Sequence, residues 1–130
     1  MSVLVDSSVW IDAAKVKDRS RKTLSSLING SDVICYTDPI QTEVCQGAKS
    51  QLEFEKLWDA FKGFQILRVR DHHWELAAWN YFRCRKAGLT IISTIDCLIA
   101  TIAQSYRVPL WAMDKLFMKM QPVIDFNFYK

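Results

Sequence analysis

Val3-Leu4-Val5-Asp6-Ser7-Ser8 sets three uninterrupted apolar residues directly ahead of an acid and two hydroxyls. Apolar residues that do not alternate with polar ones mark a short strand covered on both faces, the environment of a parallel sheet. Asp and Ser are helix-capping residues, because a side-chain oxygen accepts from the unpaired N–H groups of a first turn. The stretch therefore predicts a buried strand ending at Asp6 and a helix from Ser7 or Ser8 to about Ala14.

The alternation of strand and helix continues outward. A basic stretch from Lys15 to Lys22 leads into a second helix that stops near Asn29-Gly30, and Val33-Ile34-Cys35-Tyr36 reads as a second strand. Thr37-Asp38-Pro39 starts a helix carrying Ile40, Glu43, Val44 and Gly47 at spacings of three and four. Phe54, Leu57, Trp58 and Phe61 form one amphipathic stripe ending at Gly63, and Phe64 to Val69 is a third strand. Trp74, Ala77, Ala78 and Tyr81 stripe a long helix that follows Asp71, runs to about Lys86 and stops at Gly88. A further helix runs from Ser93-Thr94 to just before Pro109, and Leu110-Trp111-Ala112-Met113 is a fourth apolar strand closed by Asp114. Elements in this order predict an α/β protein, a three-layer α/β/α sandwich with a mainly parallel central sheet of four to five strands.

Composition agrees with one such domain. The chain has 130 residues, half of them hydrophobic, and a domain of that size buries roughly two thirds of the surface its unfolded form exposes. Disorder and collagen-like repeats are excluded. No apolar stretch approaches the roughly 18 residues that span a bilayer, and no charged leader precedes a long apolar core, so a soluble cytoplasmic protein is expected. The cysteines at 35, 45, 84 and 97 make neither a C-x-x-C pair nor zinc-ribbon spacing, and they read as reduced packing residues.

Four acids fall in informative places. Ligands of open parallel sheets bind beyond the carboxyl ends of the strands, and Asp6 and Asp114 each follow an apolar strand. Asp96 lies in the first turn of a helix that follows the apolar Leu89 to Ile92 segment, and Glu43 sits on a helix between Ile40 and Val44. Each has a plain structural alternative: Asp6 as a helix cap, Asp96 as a first-turn acid, Asp114 in a turn, Glu43 on a solvated face. As a group, carboxylates beside apolar surface demand a compensating cation, and oxygen-only ligands suit Mg²⁺ or Mn²⁺.

Val5-Asp6-Ser7-Ser8-Val9-Trp10-Ile11-Asp12, Thr42-Glu43-Val44, Thr94-Ile95-Asp96-Cys97-Leu98-Ile99-Ala100 and Ala112-Met113-Asp114-Lys115-Leu116-Phe117 together resemble the PIN-domain ribonucleases, VapC-type toxins of bacterial toxin-antitoxin modules above all. The resemblance spans nearly the whole chain, in the family's order. It implies one PIN-like nuclease domain over residues 1–130, an Mg²⁺- or Mn²⁺-dependent endoribonuclease cleaving structured RNA such as tRNA or rRNA. A metal-activated water would attack phosphorus in line, leaving a 5′-phosphate and a 3′-hydroxyl. The acidic quartet would be Asp6, Glu43, Asp96 and Asp114. Asp6, Asp96 and Asp114 would hold the metal directly or through water, and Glu43 would position a second water or ion. Ser7 and Thr94 would orient the carboxylates. Leu116 stands where the family often has a further acid, so a four-carboxylate site is implied. A VapB-type antitoxin and a homodimer are the implied protein partners, with Phe54, Trp58 or Phe61 suited to an apolar groove for an antitoxin helix.

Seventeen Lys and Arg against fourteen Asp and Glu give a net charge of +3, and with the four acids set aside the rest of the chain carries +7. Two basic clusters suit RNA phosphates: Lys15, Lys17, Arg19, Arg21 and Lys22, and then Arg83, Arg85 and Lys86. His72 and His73 read as structural, since neighbours on a helix point about 100° apart. Trp10, Trp58, Trp74, Trp79 and Trp111 read mostly as core or interface, and Phe126 to Tyr129 as either a sheet-edge closure or a dimer contact. A receiver-like Mg²⁺-binding signalling domain is the rival from another class, although only Asp6 follows the first strand, where a receiver carries paired acids. An inactive PIN scaffold that binds a partner is the third reading.

Overall fold

The computed structural model describes residues 1–14, 19–90 and 92–129, with side chains described throughout except at 19–23. Strand β1 (Ser2–Val5) sits inside a four-stranded sheet, between β2 (Val33–Tyr36) and β4 (Leu110–Trp111), with β3 (Gln65–Ile66) beyond β2. Every pairing is parallel, with Leu4 opposite both Cys35 and Leu110.

Val3, Leu4 and Val5 are fully buried, and because side chains of a strand alternate between faces they divide between two cores. Val3 and Val5 join Val9 and Ala13 of α1 (Ser7–Ala13) and Leu24 and Leu27 of α2 (Arg19–Ile28). Leu4 joins Leu98, Ile99 and Ile102 of α6 (Thr94–Tyr106), Ala77 and Cys84 of α5 (Asp71–Lys86), and Phe117 and Met120 of α7 (Leu116–Met120). Two helical layers thus enclose one sheet, the expected α/β/α sandwich. Burying each Leu, Ile or Phe side chain is worth about 1.5–3 kcal/mol, so the central strand anchors both faces.

Two strands are shorter than the apolar runs suggest. Only Gln65 and Ile66 pair in β3. Phe64 turns inward against Trp10, with ring centroids 5.1 Å apart. Leu67 N still donates to Tyr36 O at 2.7 Å, and from there side chains satisfy the backbone: the Thr37 hydroxyl donates to Leu67 O at 2.6 Å, and Val69 N donates to Asp38 Oδ2 at 3.1 Å. In β4, Ala112 and Met113 leave the sheet. The carboxyl-terminal segment completes the edge, Leu110 N donating to Asn127 O at 2.8 Å and Tyr129 N to Leu110 O at 2.9 Å, with Phe128 bridged in parallel to Leu110. Of the two expectations for residues 126–129, edge closure is the one observed.

Helix α3 (Asp38–Cys45) follows β2, and α4 (Gln51–Ala60) follows α3. All four cysteines are free and buried, and burial pushes the Cys97 thiol up to about 12. Trp10 and Trp111 pack against the cores. Trp58, Trp74 and Trp79 are about half exposed and so lie outside the core. Phe61, expected to be available to a groove, is instead buried against Tyr36 and Trp10.

Helices α5 and α6 run antiparallel around a buried polar seam. Asn80 Nδ2 donates to Thr101 Oγ1 and Gln104 Oε1, each at 3.0 Å. His73 is buried; its Nδ1 accepts from Arg70 N at 2.8 Å, which leaves the proton on Nε2, 2.9 Å from Ser105 Oγ. Burial, with His72 and Arg70 nearby, pushes the His73 pKa below its ordinary 6.5. A base whose folded pKa is depressed favours the native state above its unfolded pKa, and that contribution is lost as pH falls. Urea melts of the wild-type chain should therefore show stability falling from about pH 7 downward through the ordinary His range. His73→Gln should flatten that slope and cost about 1–3 kcal/mol at pH 7 through unpaired buried partners.

Candidate metal and catalytic site

The four acids gather beyond the carboxyl ends of β1 and β4. Asp6 is the N-cap of α1: its Oδ2 accepts from Ser8 N at 3.1 Å and from Ser8 Oγ at 2.6 Å. The capping role is real, but it occupies one oxygen only. Asp6 Oδ1 is buried with no hydrogen-bond partner among the described residues. An orphaned carboxylate oxygen on a residue 3% exposed is costly unless a cation or donor meets it.

Glu43 lies on α3, half-buried, and Ser7 Oγ donates to its Oε1 at 2.9 Å, so the hydroxyl joins α1 to α3 across the site. Asp96 is in the first turn of α6, where its backbone N–H donates to the N-cap Ser93 Oγ at 3.0 Å. Asp114 is exposed in the loop between β4 and α7, and its Oδ1 accepts from Leu116 N at 2.9 Å. The local roles read for Asp6, Asp96 and Asp114 are therefore present, and the same residues share one field.

That field is unfavourable to charge. Burial raises the Asp6 carboxyl pKa against the Ser8 hydrogen bonds, and Asp96 raises it further. Burial likewise raises Glu43 despite the Ser7 bond, with Asp6 and Asp96 adding repulsion. Asp96 is raised by burial and then by Asp114, and partly offset by Ser93. Asp6, Glu43 and Asp96 are thus each raised in part by another acid of the quartet.

An oxygen-only donor set, mutual repulsion and one orphaned oxygen fit a hard divalent cation. Among the described residues no three acids, histidines or cysteines form a ready-made cage. Mg²⁺ keeps several waters and takes one or two carboxylates directly, which such an open arrangement accommodates.

Ser7 contacts a quartet member, whereas Thr94 is exposed, and it is the preceding Ser93 that touches Asp96. Ser8 was read only as a capping residue, yet its hydroxyl donates to Asp6 and accepts from Met113 N at 3.1 Å. One hydroxyl therefore ties the first acid to the loop that carries the last. If Asp6 holds a cation in a nuclease site, Ser8→Ala should reduce cleavage about 10- to 100-fold, the usual loss when a group that orients a metal ligand is removed. Steady-state cleavage rates at saturating and limiting metal would show whether added metal restores part of the loss, as expected.

The basic clusters divide. Lys15 and Lys17 lie outside the described residues, as do the side chains of Arg19, Arg21 and Lys22 on α2. Arg83 is half-buried and structural, donating to Val123 O and, at 3.5 Å, to Asn80 Oδ1. Arg85 and Lys86 are exposed, with Lys86 Nζ 5.7 Å above the Phe82 ring. Because α5 is antiparallel to α6, they stand at the end of the pair that bears Asp96.

Fold and site define a class: a three-layer, all-parallel α/β domain with an acidic, oxygen-only site at the strand ends. Within that class the chain belongs to the PIN-domain family, whose sequence profile matches residues 3–121. This assignment replaces the receiver-like reading. No curated protein sequence matches the chain. Among solved structures, VapBC2 from Rickettsia felis bound to a promoter DNA fragment superposes with a TM-score of 0.76 at 16% identity, covering 100% of both chains. VapC20 of Mycobacterium tuberculosis, described as a sarcin-ricin loop cleaving toxin, gives 0.70 at 15% identity over 89% of this chain and 92% of that one. VapBC-5 from the same organism, a member of the VapBC family of toxin-antitoxin systems, gives 0.71 at 16% over 99% and 98%. At these identities the likeness is one of fold.

Proposed function

We propose that the chain is a VapC-type toxin, an Mg²⁺- or Mn²⁺-dependent endoribonuclease that cuts structured RNA such as tRNA or rRNA and is restrained by a cognate VapB-type antitoxin. The observation that carries this reading is the acidic quartet of a PIN domain with Asp6 Oδ1 buried and unpartnered at its centre. Asp6, Asp96 and Asp114 would hold the cation directly or through water. When bound, a divalent cation supplies Lewis-acid stabilisation of charge developing on the phosphoryl oxygens and acidifies an attacking water.

The chain's own residues do the rest. Ser7 fixes Glu43 through Oε1, leaving Oε2 to accept a hydrogen bond from a second water and, with its pKa raised, to take up a proton there. Ser8 holds the Asp6 carboxylate, and Ser93 caps the helical turn that carries Asp96. Arg85, Lys86 and the Lys15 to Lys22 stretch draw in the phosphate backbone, a term that weakens with salt.

No helix among the described residues is long and apolar enough to cross a membrane, which suits a nuclease meeting RNA in the cytoplasm. The stacked, exposed Phe54 and Trp58 of α4, ring centroids 6.0 Å apart, support a protein partner, be it the antitoxin or the second subunit of a homodimer. Sequencing RNA 5′ ends after induction tests the activity: new 5′-phosphate ends at a few sites are expected with the wild-type chain and none with Asp96→Asn. Identical end profiles for the two would leave the scaffold reading, binding without cleavage.

A further inference from the structure

We propose that the pocket beside Glu43 receives an unpaired base of the RNA next to the cleaved bond, stacked on Trp74. The inference rests on the ribonuclease reading above and adds to it a residue that reads the substrate. A cavity of about 680 Å³ opens between α3, the segment leading into α5, and the first turn of α6. It is continuous with the acidic site, since Glu43 lines it and Ile95 precedes Asp96. Pockets for small organic groups run from about 300 to 1,000 Å³.

The chemistry of the walls favours a base over a phosphate. Trp74 is 53% exposed although it lies on the apolar stripe of α5, and Val69 and Ile95 give the pocket further apolar surface. Among the described residues that line it, the one cation, Arg68, is held by Asp38 at 2.9 Å, while Glu43 repels an anion. Gln46 supplies an amide on the rim that can both donate to and accept from the edge of a base, and the Thr42 hydroxyl, which donates to Asp38 O at 3.2 Å, keeps lone pairs that can accept from it. Proteins that read loops of RNA stack unpaired bases on exposed aromatics and contact their edges in this way. Stacking of one base on an aromatic ring is worth about 1–3 kcal/mol.

The test uses labelled RNA hairpins with randomised loops. Binding is followed by anisotropy in the Asp96→Asn background, which removes cleavage, and cut sites are mapped in the active chain. Trp74→Ala is expected to weaken binding by about 5- to 100-fold and to erase any base preference beside the cut, while Trp74→Phe retains most of both. Circular dichroism should show both variants folded. If the parent protein binds and cuts the hairpins and Trp74→Ala does so with the same affinity and preference, the base pocket is overturned and the ribonuclease reading stands. Should Trp74→Ala instead weaken capture of an antitoxin and leave hairpin binding intact, the pocket is a protein site and the inference fails. A wild-type chain that neither binds nor cuts RNA removes the ribonuclease reading, and the base pocket with it.

Discussion

Replacing Asp96 by Asn is expected to abolish the proposed RNA cleavage, by at least about 10²- to 10³-fold, the scale of losing one preorganised electrostatic group from a hydrolytic site. The same substitution makes the metal-free chain more stable. In the native state the Asp96 carboxyl is held above its ordinary pKa by burial and by Asp114, so its ionisation opposes folding. For an acid with a raised folded pKa, that penalty is absent below the unfolded value of 3.8, grows as pH rises toward the folded pKa, and is complete above it. The melting temperature of Asp96→Asn should therefore exceed that of the parent protein at pH 7 and match it near pH 3. Asp6→Asn should behave in the same way, since Asn keeps an oxygen for the α1 cap. Activity and stability moving in opposite directions distinguishes a functional acid from a structural one.

Divalent metal should reverse the balance. A ligand that binds only the native state stabilises it by mass action, about 2.7 kcal/mol at one hundred times its dissociation constant. For a domain of this size that corresponds to a rise in melting temperature of about 10 °C. Differential scanning fluorimetry of the metal-free wild-type chain should show this rise with Mn²⁺ or Mg²⁺. In Asp6→Asn and Asp96→Asn the rise should largely disappear. A rise preserved in both variants would place the metal elsewhere on the chain.

The fold was legible wherever burial is dictated locally. Val3, Leu4 and Val5 carry no polar residue among them, and a strand with both faces covered is the one arrangement that buries all three. The acids were legible because Asp6 and Asp96 sit where a strand or apolar run hands over to a helix, whichever local role each also performs. Periodicity was less informative about what covers a face. Trp58 and Trp74 lie on apolar stripes, and no neighbouring element covers them fully. Strand length was over-read for the same reason: Phe64, Leu67 and Val69 are apolar because they pack inward, whereas pairing ends once Thr37 and Asp38 take the backbone groups. The Ser8 link to Met113 joins positions 105 residues apart, and no local pattern encodes it.

The central claim is that Asp6, Glu43, Asp96 and Asp114 form one divalent-metal site, and titration calorimetry of Mn²⁺ into the metal-free chain tests it without any substrate. Saturable binding by the wild-type chain that is lost in Asp6→Asn and in Asp96→Asn is the predicted result. Unchanged Mn²⁺ binding in both variants, or none in the wild-type chain, would contradict it.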